Sequence, residues 1–167
     1  MDRIKLSPNF YLDEFTRSQT AVRHGIDMSV VPGGLIYSNL RLLCKQLLQP
    51  IRNELGPVNI SSGYRPLALN KLIRGSSSSQ HCIGKAADFT VTGYTPLQVA
   101  QWIEANLPRY DQLIHEFGQW VHISIAGPFR DARLNSLTAV SVPQRFRKPK
   151  TVYVPGILSI EDAVTRV

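Results

Sequence analysis

Asp111–Ile125 reads DQLIHEFGQWVHISI. Asp111–Phe117 and Gln119–Ile125 are apolar runs rich in β-branched and aromatic residues, with Gly118 between them. That pattern predicts two strands joined by a tight turn. A hairpin placed late in a chain whose earlier patterns are mostly helical predicts an α+β fold, with helices packed on a small antiparallel sheet. Upstream, Lys85–Val91 is a further strand-like run. Between the two, Thr95-Pro96-Leu97-Gln98 opens a helix: Thr95 caps, Pro96 suits the first helical position, and Gln98 completes a capping box. This helix is expected to reach about Leu107, with Val99, Trp102 and Ile103 inward and Pro108 stopping it. Val58–Ser61 adds a short strand. No long strand–helix–strand alternation supports a doubly wound sheet.

Further out, Leu35, Ile36, Leu40, Leu43, Cys44, Leu47, Leu48, Ile51 and Leu55 recur at helical spacing. They predict a long helix that Pro50 kinks or splits and that Gly56-Pro57 ends. Leu67–Ile73 reads as a short helix, and Ser76–Ser78 as a surface linker. Residues 1–30 form an arm in which Phe10, Leu12 and Phe15 are placed to dock on the core. Beyond residue 128, Arg130–Lys150 is polar and basic, and Val152–Leu158 is interrupted by Pro155 and Gly156. The expected organisation is a domain over 1–128, including the arm, and a basic extended tail over 129–167.

The 167 residues suffice for one domain with a real core. Nineteen Lys and Arg against 12 Asp and Glu give a formal net charge of +7, which draws a protein to polyanions. Cell-wall polymers and nucleic acid both answer to that charge, and charge alone does not choose between them. Cys44 lies in the helical pattern and reads as a buried thiol; two cysteines make no disulfide framework. No continuous apolar stretch marks the N-terminus as a cleavable signal, and none is long enough to span a bilayer. No P-loop, dinucleotide fingerprint, nucleophile elbow or zinc-finger spacing is present.

Among the histidines, His122 is a polar residue between strand hydrophobics, His81 precedes the Gly84 loop, and Asp88 follows Ala86-Ala87. Two His and one Asp form a donor set used by catalytic zinc, which takes three protein ligands and leaves a fourth position open. A satisfied or solvent-facing His fits the same pattern, so spacing by itself leaves metal binding open.

Three segments go further: Ser61-Ser62-Gly63-Tyr64-Arg65-Pro66, then Ser79-Gln80-His81-Cys82-Ile83-Gly84-Lys85-Ala86-Ala87-Asp88-Phe89, then Glu116-Phe117-Gly118-Gln119-Trp120-Val121-His122-Ile123-Ser124. In this order they resemble the zinc D-alanyl-D-alanine peptidase family, which includes D,D-carboxypeptidases and phage L-alanyl-D-glutamate endopeptidases. The Hedgehog signalling domain shares its fold. The resemblance covers roughly residues 5–128. It implies a Hedgehog/DD-peptidase-like fold, one zinc ion held by His81, Asp88 and His122, and hydrolysis of peptidoglycan peptides.

A water attacking an amide needs a base. Many of these peptidases carry an acid three residues before the last ligand, where this chain has Gln119. The Hedgehog branch carries a Glu at the separation that Glu116 has from His122. Glu116 is therefore the expected base. Arg65 matches the family arginine, and its fork suits a substrate carboxylate or a polarised carbonyl. Ser79, Tyr64 and Trp120 are the further expected substrate contacts. The resulting expectation is a phage-type lytic peptidase with a peptidoglycan peptide as substrate, anionic wall polymer as an additional partner and no nucleic-acid partner. It would be a monomer unless the tail mediates assembly. Without a signal it would stay in the host cytoplasm until release at the wall, or ride on the virion. Two alternatives stand beside it: a D,D-carboxypeptidase trimming terminal D-Ala, and a non-catalytic zinc-containing binding or virion protein of the same fold.

Overall fold

A computed structural model describes residues 3–127 and 130–167. The arm opens with β1 (Lys5–Ser7) and β2 (Phe10–Tyr11), an antiparallel pair, followed by α1 (Leu12–Phe15) and α2 (Gln19–Arg23). Phe10, Leu12 and Phe15 are buried, so the arm docks as its apolar residues dictate. Next come α3 (Leu35–Leu43), a π-helical turn over Cys44–Leu48, and α4 (Gln49–Leu55). The expected break at Pro50 takes the form of that wide turn. Pro50 has no N–H to give, and its ring would press on the carbonyl four residues back. The backbone opens by one residue just before it, and the Gln49 N–H donates to the Cys44 carbonyl five residues back. The apolar stripe stays in register: Leu40, Leu43, Cys44, Leu47, Leu48 and Ile51 are all fully buried.

The remaining elements are β3 (Val58–Ser62), α5 (Leu67–Leu72), β4 (Ala86–Val91), α6 (Pro96–Asn106), β5 (Tyr110–Glu116), β6 (Trp120–Ile125), β7 (Asn135–Gln144), β8 (Arg147–Pro155) and α7 (Ile160–Val164). The Thr95–Gln98 capping box of α6 is formed on both sides. Trp102 is half-buried against the core that Val99 and Ile103 enter. The main sheet has six strands in the order β3-β4-β6-β5-β7-β8. Its first four strands pair antiparallel. The turn between β5 and β6 places Phe117 and Gly118 at positive φ, +55° and +69°, with the Gln119 N–H donating to the Glu116 carbonyl. This twist suits a hairpin.

The expectation of an extended tail after residue 128 is overturned. The boundary itself falls on Pro128, outside the described residues, but β7 joins the free edge of β5 in parallel and β8 returns antiparallel to it. Val140 and Val154 form a small second core with Ala163 of α7. The basic, proline-containing sequence that reads as a tail is that of an edge strand, where Lys, Arg and Pro are tolerated because one side of the ladder faces solvent. The helices α3, α4 and α6 cover one face of the sheet, and the other face is left for a cleft.

Candidate metal centre and cleft

Strand pairing brings two of the expected ligands side by side. Asp88 on β4 is the direct partner of His122 on β6. His81 comes from a short 3₁₀ turn, Gln80–Ile83, just before β4. That turn is clamped from several sides. Asn39 donates to the Ile83 carbonyl at 2.7 Å. The Arg65 N–H donates to the His81 carbonyl at 3.1 Å. Gly84 ends the turn at φ +68°, where a Cβ would lie 2.9 Å from the Ile36 carbonyl oxygen, so both conformation and space demand glycine. Gly63 is constrained by space alone: a Cβ there would meet the Phe15 backbone at 2.7 Å. Its carbonyl lies 2.7 Å from His81 Nδ1. With Nδ1–H donating to Gly63, His81 presents the lone pair of Nε2 to the cleft.

The three ligand atoms converge. His122 Nδ1 is 2.8 Å from Asp88 Oδ1, His81 Nε2 is 3.3 Å from the same oxygen, and the two ring nitrogens are 3.3 Å apart. Ligands roughly 2.0–2.1 Å from a tetrahedral zinc would sit about 3.3 Å from one another. Two of the three separations match that spacing, and the third is a hydrogen-bond length. Burial holds the His81 pKa below the usual imidazole range, which favours the neutral, ligating ring. Burial opposes ionisation of Asp88, but its close contacts with the two imidazoles outweigh burial and hold its carboxyl well below the ordinary value. The donor set, its tautomer and its spacing fit a single zinc ion.

The triad opens into a cleft of about 900 Å³ whose floor is the sheet face shared by His122, Ile114 and Leu137. Glu116 lines it. Glu116 pairs with Trp120 and Ile114 pairs with His122, so Glu116 and His122 are diagonal neighbours on one face. A three-residue turn makes a separation of six residues land there, whereas Gln119 sits exposed in the turn. Burial, reinforced by the Asp88 charge, raises the Glu116 pKa above the usual carboxylate value, against the opposing pull of His122 and Arg65. Arg65 reaches the cleft and donates to Ser79 Oγ at 3.3 Å. Its Nε is buried and meets no protein acceptor among the described residues, and the same holds for Trp120 Nε1. Tyr64 stands apart: its ring packs on the main core and borders a separate shallow depression near Ser61 and Leu69.

Sequence reasoning missed part of the surroundings. Asp111, at the start of β5, is fully buried and accepts from Gln80 Nε2, Arg130 and Arg133. Gln80 also donates to the Ile125 carbonyl, tying the His81 turn to the hairpin. Lys85, Arg130 and Arg133 make the cleft rim cationic. His115, next to Glu116 in sequence, points to the opposite face, as strand alternation requires, and pairs with the Leu158 carbonyl at 2.9 Å. Tyr153 reaches the cleft from β8. An acid opening a strand and a Tyr flanked by valines were visible signals, but only the assembled sheet assigns them a place.

The sequence profile of the peptidase M15 family matches residues 8–124. The chain belongs to that family. M15 is a family of zinc metallopeptidases, so the triad and the match point to the same chemistry. The matched region holds all three ligand positions and Glu116, and it stops before β7. No curated protein matches the chain. Among the described residues no helix is long and apolar enough to cross a membrane.

Proposed function

We propose that this M15 peptidase hydrolyses an amide bond in peptidoglycan stem peptides, in a lytic role, with Glu116 as general base. The observation that carries the reading is the pairing register: it sets a partly buried carboxylate diagonal to His122 in a cleft that also holds Arg65.

Zinc held by His81, Asp88 and His122 would supply Lewis-acid polarisation of the scissile carbonyl. Glu116 takes the proton of the attacking water and hands it to the departing amine. Burial raises its pKa above the ordinary carboxylate value, a direction that favours returning the proton. Arg65, steadied by Ser79, presents guanidinium N–H groups to a substrate carboxylate or to the developing oxyanion. The cationic rim matches stem peptides, which carry free carboxylates, and would also attract anionic wall polymer.

The test is a digest of purified muropeptides followed by mass spectrometry, with wild type and Glu116→Gln compared. New internal peptide ends mark an endopeptidase. Release of free alanine alone marks a D,D-carboxypeptidase. A wild-type protein that carries zinc yet leaves every muropeptide intact would reject the enzymatic reading in favour of a zinc-stabilised binding protein.

A further inference from the structure

The hairpin β7–β8 lies beyond the stretch that matches the family, yet one of its residues faces the reacting end of the cleft. The register selects it. Trp120 pairs with Glu116, Glu116 with Ala139, and Ala139 with Tyr153. Directly paired residues point to the same side of a sheet, so these four side chains form one row across four strands. That side is the cleft, and Tyr153 lines it.

The residue between Glu116 and Tyr153 is alanine, fully buried. Two strand spacings separate the Glu116 and Tyr153 backbones by roughly 10 Å. A larger side chain at 139 would fill that gap, whereas a methyl leaves it open for the phenol to lean across. Burial and the charges of Glu116 and Asp88 raise the Tyr153 pKa above the usual phenol value, so its hydroxyl stays a donor at neutral pH. At the far end of the row the Trp120 indole N–H is buried without a protein acceptor. The row thus sets the Tyr153 hydroxyl on the β8 side of the carboxylate.

We propose that Tyr153 is a substrate-binding residue of this peptidase, its hydroxyl donating to a carbonyl or carboxylate of the peptide a few residues from the scissile bond. The inference rests on the peptidase reading above. It makes the C-terminal hairpin a wall of the active site. A peptide must extend across β5 and β7 to reach Tyr153, so the contact is made by long stem peptides and lost by short ones.

The experiment measures affinity for stem peptides of increasing length on Glu116→Gln protein, where turnover does not intervene. Tyr153→Phe is expected to weaken binding of the longest peptide about 5–10-fold, the worth of one hydrogen bond. Tyr153→Ala weakens it further, and the shortest peptide binds all three proteins alike. In the Glu116 protein the same changes raise KM and leave kcat within about twofold, the signature of binding that is uniform in ground and transition states. Thermal midpoints stay unchanged, because Tyr153 is half exposed. Equal affinity in all three proteins overturns the proposal, as does a loss that is the same at every peptide length. If wild type cleaves and the Tyr153 variants match it, only the role of Tyr153 falls. If wild type neither binds nor cleaves these peptides, the peptidase reading falls and Tyr153 with it.

Discussion

The strands β4, β5 and β6 and the hairpin β7–β8 belong to one sheet but are built differently. The three inner strands are buried on nearly every residue, and of the five positions that are only partly buried, four, Asp88, Gln112, Glu116 and Trp120, line the cleft, Thr90 being the exception. The hairpin is buried only at Thr138, Ala139 and Val140 of β7 and Val154 of β8, and most of β8 faces solvent. The difference separates two tasks. Metal ligands must be held to a fraction of an ångström, which calls for strands fixed on both faces. Substrate walls tolerate more movement, and an edge hairpin supplies them.

The largest expected effects break the inner set. His81→Ala is expected to lower zinc content from near one per chain to background and to abolish hydrolysis, measured by elemental analysis and muropeptide digestion. Glu116→Gln is expected to cut turnover by about 10²–10⁴-fold, the usual worth of a general base, while zinc content stays at the wild-type level. The two variants together separate holding the metal from moving the proton. A Glu116→Gln protein of unchanged activity would remove Glu116 from the chemistry.

These inner features were largely legible in the sequence. Gly118 between two β-rich runs marked the hairpin, and Thr95 with Gln98 marked the start of α6, because turns and caps are local chemistry. The ligand set was legible through the resemblance of three ordered segments, and the structure brings those residues together. The outer features were not. The parallel joint between β5 and β7 depends on residues some twenty positions apart, and no local pattern records a register. Arg147, Lys148, Pro149 and Lys150 look like a tail because an edge strand is protected by the same residues that make a tail soluble. Tyr64 shows how a motif position can be legible while its surroundings are not. It stands within the matched motif, beside Arg65, yet its ring packs against the core and does not line the cleft.

Core substitutions probe the comparison through stability. Leu113→Ala, in the main core beneath β5, is expected to cost about 2–5 kcal/mol. Val140→Ala, in the small outer core, is expected to cost about 2 kcal/mol or less, from two carbons at about 0.8 kcal/mol each and a shallow cavity. Both should lower a single cooperative urea transition, because β7 is bonded along β5 and Ile157 packs on the main core. A second transition appearing only in Val140→Ala would make the hairpin an independent unit.

The smallest expected effect lies at the seam between the two regions. Burial alone would raise the Asp111 pKa, but hydrogen bonds from Arg133 and the charges of Arg133 and Arg130 outweigh it, and the carboxyl titrates below its ordinary value. A group whose pKa is lower in the folded chain adds stability that is fully present above its unfolded pKa. That contribution is lost as pH falls through the folded value. Asp111→Asn keeps an acceptor for Gln80 but removes the charge that both arginines answer. It is expected to cost about 1 kcal/mol at pH 7. The deficit should shrink below about pH 4, where the unfolded carboxylate protonates while the folded one is still ionised. Urea unfolding at pH 7 and pH 3 reads the difference directly. A deficit that is the same at both pH values would mean that Asp111 holds the seam by shape and hydrogen bonding, with no contribution from its charge.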